Sequence, residues 1–424
     1  MIVLDRKIRW YKLDNTALLF PSIAGENMTN VYRISVTLSE EIDKDLLQQA
    51  LDILLPKMEG FNVRLRKGLF WYYFEENGKP APKVVEESGF PCRYIRANKN
   101  HSYLFRVTYY GCRINLEVFH VLTDGMGGIN FIRELAYQYL RLAHPDKFSS
   151  QGLSSDTSLN NEDSFIRNYK AAKPKGFAAK KAFLIKSPHF SGGELGLMHL
   201  SMSVAELKKV THEYGISINE YMVALTAYSI YHAYYKGRSG GRPIRIAVPV
   251  NLRPYFDSYT TRNFFVMISA ELNDEEKELS FKDIVDRTCA SLRGQMNKEH
   301  LEDLFSYSVS NQVNPFLRAF PLFLKNIAIR FVYNKSATAN TTTVTNVGNI
   351  KIEDEYREYV KGFTANIAMS IGQYIKGTIC SYGDDFVYTF STVLEDTSIE
   401  RYFVKQLAAD GIKCSVTTNG VFYG

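Results

Sequence analysis

The stretch "RINLEVFHVLTDGMGGINFIRELAYQYLRLAHP", residues 113–145, constrains the fold more than any other part of the chain. "RINLEVF" alternates apolar and polar residues and reads as a strand, which delivers His120 at its end. Asp124 and Gly125 fall in the following loop. Ile132, Leu135, Ala136, Tyr139, Leu140 and Ala143 then share one face of a helix. His144-Pro145 closes that helix, because the residue before proline is pushed out of helical geometry. Two readings fit the loop. A neutral imidazole at a strand end can take a proton near pH 7, with Gly125 leaving room for a reactant. Asp-Gly is also an ordinary turn pair, and the local residues do not choose between the two.

The same mixture continues along the chain. "VYRISVTLS" reads as a strand, and "DKDLLQQALDILLPKM" as a helix capped by Asp43. "NVRLRKGLFWYYFEENGK" and "SYLFRVTYYGCRINLEVFH" read as hairpins, the second turning at Gly111. From about 145 to 195 the texture becomes polar and lysine-rich, as suits a crossover. Beyond it, "LMHLSMS" is a strand and "SVAELKKVTHEYG" a helix with a glycine stop. "SINEYMVALTAYSIYHAYYKG" is a long buried helix, and "PIRIAVPVNLRPYF" a strand entering a loop. A helix around 280–296 follows, then strands near 341–348, 363–370, 376–383 and 386–393, and a helix after Asp396. Strands and helices alternate without a regular βαβ rhythm, which predicts two α+β domains. The expected division is 1–150, a linker at 151–195, and 196–424.

At 424 residues the chain has room for two cores. Its formal charge of +6 is mild, and no zinc-finger spacing, RNP-type string or basic stripe points to nucleic acid. Five widely spaced cysteines suit a reducing compartment with free thiols. "MIVLDRKIRWYK" lacks the pattern of a signal peptide. The most apolar segment, "PFLRAFPLFLKNIAIRFVY", is interrupted by Arg318, Lys325 and Arg330, so no membrane span is expected. A cytoplasmic, soluble protein is the expectation, with peripheral membrane contact by that segment as the alternative.

Other strings carry candidate chemistry. In "VPVNLRP", Arg253 is either a solvated turn residue or the partner of Asp124, since a buried loop carboxylate must be neutralised. In "TTTVTNVGNI", Thr345 and Asn346 belong either to an edge strand and turn or beside a reacting carbonyl. "GRSGG" matches the nucleophile-elbow spacing around Ser239, but a helix precedes it and a strand follows, the reverse of what an elbow needs. No P-loop, dinucleotide fingerprint or HExxH is present, and the eight histidines are scattered, so no metal or bound cofactor is expected.

In combination, "WYKLDNTALLFPSI", "FHVLTDG", "VPVNLR" followed by "TRNFF", and "TVTNVGNI" resemble the chloramphenicol acetyltransferase-like superfamily. That superfamily includes alcohol acetyltransferases, plant BAHD-type acyltransferases and the condensation domains of nonribosomal peptide synthetases. The pattern looks most like the bacterial alcohol-acetyltransferase-like branch. The resemblance implies two similar α/β sandwich domains set in a V, with a tunnel along their interface. It implies an acyl thioester, acyl-CoA or acyl-phosphopantetheine on a carrier protein, as co-substrate and a small alcohol or amine as acceptor. His120 matches the essential histidine and Asp124 the structural aspartate. Gly125 matches the motif glycine, Arg253 the aspartate's partner, and Thr345 and Asn346 the polar residues near the acyl carbonyl. Phe119 stands where condensation domains carry a second histidine, which disfavours peptide-bond formation, and the plant-type DFGWG string is absent. The alternative is a non-catalytic, condensation-like module that binds a carrier protein. The lysines of 170–186 suit either a CoA phosphate or acidic carrier, or a solvated linker. Two such domains make an interface within one chain, so a monomer suffices, and the oligomeric state is left open.

Overall fold

The strands Val31–Leu38 and Arg113–Phe119 lie buried inside a five-stranded sheet; one face is apolar, with Ile34, Val36, Leu116 and Val118, and the other buries the Arg33–Glu117 ion pair and the Ser35–Asn115 hydrogen bond. The computed structural model describes residues 9–148, 152–171, 181–235, 241–273 and 278–423. The sheet runs Val360–Ile367, Val31–Leu38, Arg113–Phe119, Phe105–Tyr110, Val85–Glu86, and only its last pair is parallel. Its central hairpin turns through Gly111 at φ 52°, a left-handed backbone that glycine adopts without strain. Helix Lys44–Leu54 begins at Asp43, whose carboxylate accepts the N–H groups of Asp45 and Leu46. It packs against helix Gly125–Ala143, which lies on the sheet. A small three-stranded sheet holds the hairpin Val63–Lys67 and Tyr72–Glu76 together with Trp10–Lys12.

The second core is built on a seven-stranded sheet. Its order is Phe265–Leu272, Ile244–Asn251, Thr342–Asn349, Ile375–Tyr382, Asp385–Thr392, Gly196–Ser203, Ser415–Thr418. Helix Ile218–Ile230 is apolar nearly all round and therefore buried, between helices Phe281–Arg293 and Ser398–Ala409. A capping box of Ser217 and Glu220 starts it.

The two cores exchange chain. Strand Val360–Ile367 lies beyond the 195/196 boundary read from the sequence, yet it pairs with Val31–Leu38 in the first sheet, with Phe363 opposite Val36 and Ala365 opposite Ile34. Its local pattern marks a strand, but not which sheet it joins. Elements not read from the sequence include helix Lys298–Val313 and strands Phe265–Leu272 and Ser415–Thr418. The last helix is capped by Thr397 without a side-chain bond, while Asp396 accepts the Ser398 N–H at 3.0 Å.

"PFLRAFPLFLKNIAIRFVY" folds as a short helix, Pro315–Ala319, and a longer one, Leu322–Ala337. Among the described residues no helix is long and apolar enough to cross a membrane. Ser239 lies outside the described residues, as do 172–180 of the lysine-rich segment. Lys170 pairs with Glu302 at 2.8 Å.

Candidate active site

Strand Arg113–Phe119 hands the chain to a turn at His120, whose backbone N–H donates to the Asn30 carbonyl at 2.9 Å. Three aromatic rings hold the imidazole. Phe20 stacks on it with centroids 4.8 Å apart, Tyr32 meets it edge-on at 5.2 Å, and Phe265 lies 5.6 Å away. Nδ1 of His120 is 2.9 Å from Oδ1 of Asn263. An amide oxygen only accepts, so Nδ1 carries the proton and Nε2 presents its lone pair. The Asn263 amide is itself oriented: its Nδ2 donates to Asp14 Oδ2 at 3.1 Å, and Asp14 Oδ1 accepts the Ala17 N–H at 2.7 Å.

Electrostatics keeps this imidazole neutral. Burial lowers its pKa below the ordinary value, Asp124 opposes that, and Lys376 lowers it further. Lys376 is itself buried, donates to the Ala368 carbonyl at 2.8 Å and to Ser370 Oγ at 2.6 Å, and is pushed by burial down to about 7. Burial likewise pushes the Asp14 carboxyl up to about 7.

Asp124 does not touch the imidazole. It caps helix Gly125–Ala143 by accepting the Met126 N–H, accepts the Phe264 N–H at 3.1 Å, and meets Arg253 with both oxygens, at 3.0 and 2.9 Å. The two residues are only 7% and 9% exposed, so the charges neutralise each other away from water. Arg253 uses its remaining donors on Asn251 Oδ1 and on the carbonyls of Thr260 and Arg262. Helix, loop 260–264 and the turn after His120 are thus tied to one carboxylate.

The helix starts at Gly125, inside the stretch read from the sequence as loop, and the three glycines of its first turn differ. A Cβ on Gly127 would sit 2.6 Å from the Thr261 carbonyl oxygen, and one on Gly128 2.7 Å from Tyr32 Oη, so both positions exist for close packing. At Gly125 the nearest atom would be Val347 Cγ1 at an ordinary 3.6 Å. Val347 lines a cleft of about 950 Å³ between the two cores. Met126, Ile129 and Arg133 line one wall, and Asn219, Pro249 and Arg293 another. Asn346 also lines it, but its side chain is engaged with Asn219 at 3.4 Å and with the Gly348 N–H at 2.8 Å. Thr345 is half-buried on the same strand.

Sequence reasoning found His120, Asp124, Gly125 and Arg253 in one neighbourhood and did not single out Asn263, Asp14 or Lys376. Asn263 sits in "TRNFF" and Asp14 in "WYKLDNTALLFPSI", strings noted for their resemblance alone. Nothing local marks Asn263 as the hydrogen-bond partner of the histidine, or Asp14 as the partner of Asn263.

The chain shares its α+β fold, built on two cores, with solved structures that include TRI101 and condensation domains. F. sporotrichioides TRI101, solved with coenzyme A and T-2, superposes with a TM-score of 0.67 at 10% identity, over 96% of this chain and 99% of that one. The first condensation domain of the calcium-dependent antibiotic synthetase gives 0.60 at 11%, over 96% and 99%. Polyketide synthase associated protein 5 from Mycobacterium tuberculosis gives 0.58 at 12%, over 94% and 96%. No family profile and no curated protein matches the chain by sequence.

Proposed function

We propose that this chain is an acyltransferase that moves an acyl group from a thioester, acyl-CoA or an acyl-carrier protein, to an alcohol or amine. The observation that carries the reading is the His120–Asn263 hydrogen bond, which leaves Nε2 of a neutral imidazole free to accept a proton. Nε2 takes the acceptor's proton as its oxygen or nitrogen attacks the thioester carbonyl carbon. The tetrahedral oxyanion collapses, the C–S bond breaks, and the departing thiolate regains the proton from the imidazolium. No acyl-enzyme forms. In this scheme Asp124 and Arg253 hold the loop, and Gly125 keeps it clear. Thr345 is the nearer candidate for a donor to the acyl oxygen, because Asn346 already has partners.

The interdomain cleft has room for a thioester arm, and the likeness to a protein crystallised with coenzyme A supports that donor. An alcohol acceptor, as in the bacterial alcohol-acetyltransferase-like branch, and a cytoplasmic setting belong to the same proposal. So does the division into 1–150, 151–195 and 196–424. The test is thiol release from acetyl-CoA and longer acyl-CoAs in the presence of a panel of alcohols and amines. Release that disappears in His120→Ala is the expected result. Undiminished turnover in that variant rules the mechanism out, and carrier-protein binding without transfer points to a non-catalytic module.

A further inference from the structure

Helices Pro315–Ala319 and Leu322–Ala337 turn an apolar face to water that a globular domain would ordinarily hide. Phe316 is 82% exposed, Phe331 70% and Ile327 64%, and Phe320, Phe323 and Val332 are exposed beside them. Phe323, Ile327 and Phe331 recur at every fourth position and form one stripe. The opposite face is committed: Leu322 and Ala337 are buried, and Ile329 and Tyr333 pack against the first core. The tip of the hairpin formed by Val63–Lys67 and Tyr72–Glu76 extends the surface with Leu69, 71% exposed, whose carbonyl accepts the Leu322 N–H at 2.8 Å.

Charge within these two helices has one sign. Residues 315–337 contain Arg318, Lys325, Arg330 and Lys335 and no acidic residue. Among the described residues none of the four cations pairs with a carboxylate; Lys325 instead lies 3.8 Å over the Trp71 ring, with Arg318 at 5.6 Å. Exposed Phe, Leu and Ile flanked by unpaired Lys and Arg match an interfacial helix lying in the headgroup region of an anionic bilayer. A second protein with an apolar groove would bury the stripe, but it would leave the four cations beside it unexplained.

We propose that this face is a peripheral membrane-binding surface selective for anionic lipid. It sits close to the candidate base. Ser22 Oγ donates to Asn326 Oδ1 at 2.8 Å, Arg330 donates to the Ser22 carbonyl, and Phe20 of the same short helix stacks on His120. A bilayer docked here lies one helix away from the imidazole. If the acyltransferase reading holds, that arrangement suits an acceptor or acyl chain drawn from lipid.

Flotation with vesicles tests the surface without any turnover, so its outcome is separate from that reading. The full chain is mixed with phosphatidylcholine vesicles, with or without about 30% phosphatidylglycerol. Wild type is expected to float with the anionic vesicles, less so at high salt. Ile327→Glu/Phe331→Glu is expected to reduce the bound fraction about tenfold or more with an unchanged melting temperature, since both side chains are exposed. Arg318→Glu/Lys335→Glu is expected to abolish the preference for anionic lipid. Wild type that stays unbound with both vesicle types overturns the proposal. So does a concentration-dependent dimer that the apolar double variant dissociates, because the face would then be covered by a second copy of the chain.

Discussion

The two ring nitrogens of His120 have different partners, and that difference sets its chemistry. Asn263 pins the proton on Nδ1 and Asp14 orients Asn263, so the lone pair faces away from both. Burial holds the imidazolium below its usual range, so the base form persists into mildly acidic solution. The acid limb of the kcat/KM profile is therefore expected to inflect below about 6.5, the ordinary imidazole value. An inflection at or above that value contradicts the environment described for His120. Asn263→Ala is expected to lower kcat about tenfold or more while the protein remains folded, because the ring loses the group that selects its tautomer. Equal kcat in variant and wild type would assign tautomer control elsewhere. His120 was readable in the sequence as a strand-end residue beside Asp-Gly. Asn263 was not, because it lies 143 positions further on and its role depends on what the fold sets opposite it.

Single elements are tied together by Asp124. The carboxylate caps helix Gly125–Ala143, accepts a backbone N–H from loop 260–264, and neutralises Arg253. Removing one partner of a buried, hydrogen-bonded ion pair costs about 3–5 kcal/mol, since the other charge is left unpaired. Asp124→Ala is expected to fall in that range by urea unfolding, with the midpoint shifted and the slope unchanged. A loss under about 1 kcal/mol would mean that Arg253 finds another counter-charge or water. The helix face was legible from spacing, because it repeats locally, but its cap was not: Asp124 and Gly125 read as loop, whereas the helix starts at Gly125 with Asp124 as its cap. Gly127 and Gly128 were not legible either, since the Thr261 carbonyl and the Tyr32 hydroxyl that exclude a Cβ come from other elements.

At the scale of the whole molecule, the strand Val360–Ile367 crosses from the C-terminal part of the chain to complete the first sheet. Without it, Val31–Leu38 presents a bare edge with Tyr32, Ile34, Val36 and Leu38 on one face, which favours aggregation. Residues 1–195 produced alone are expected to elute from size exclusion as aggregates. A monodisperse fragment with native-like sheet content would show that the crossing strand is dispensable. The loop after this strand carries Ala368 and Ser370, the acceptors of the Lys376 ammonium. The crossover therefore also shapes the electrostatics near His120.

By itself the sequence determined which residues alternate, which repeat along a helix face, and where Asp, Gly and Pro stop an element. These are properties of neighbours along the chain. It also placed an imidazole at a strand end and a charge able to meet Asp124. Only the tertiary structure decided that Arg253 and Asp124 lie within 2.9 Å, that Asn263 and Asp14 stand behind the histidine, and that one apolar helix remains facing water. Those outcomes depend on which distant surfaces pack together, and local pattern carries no record of that.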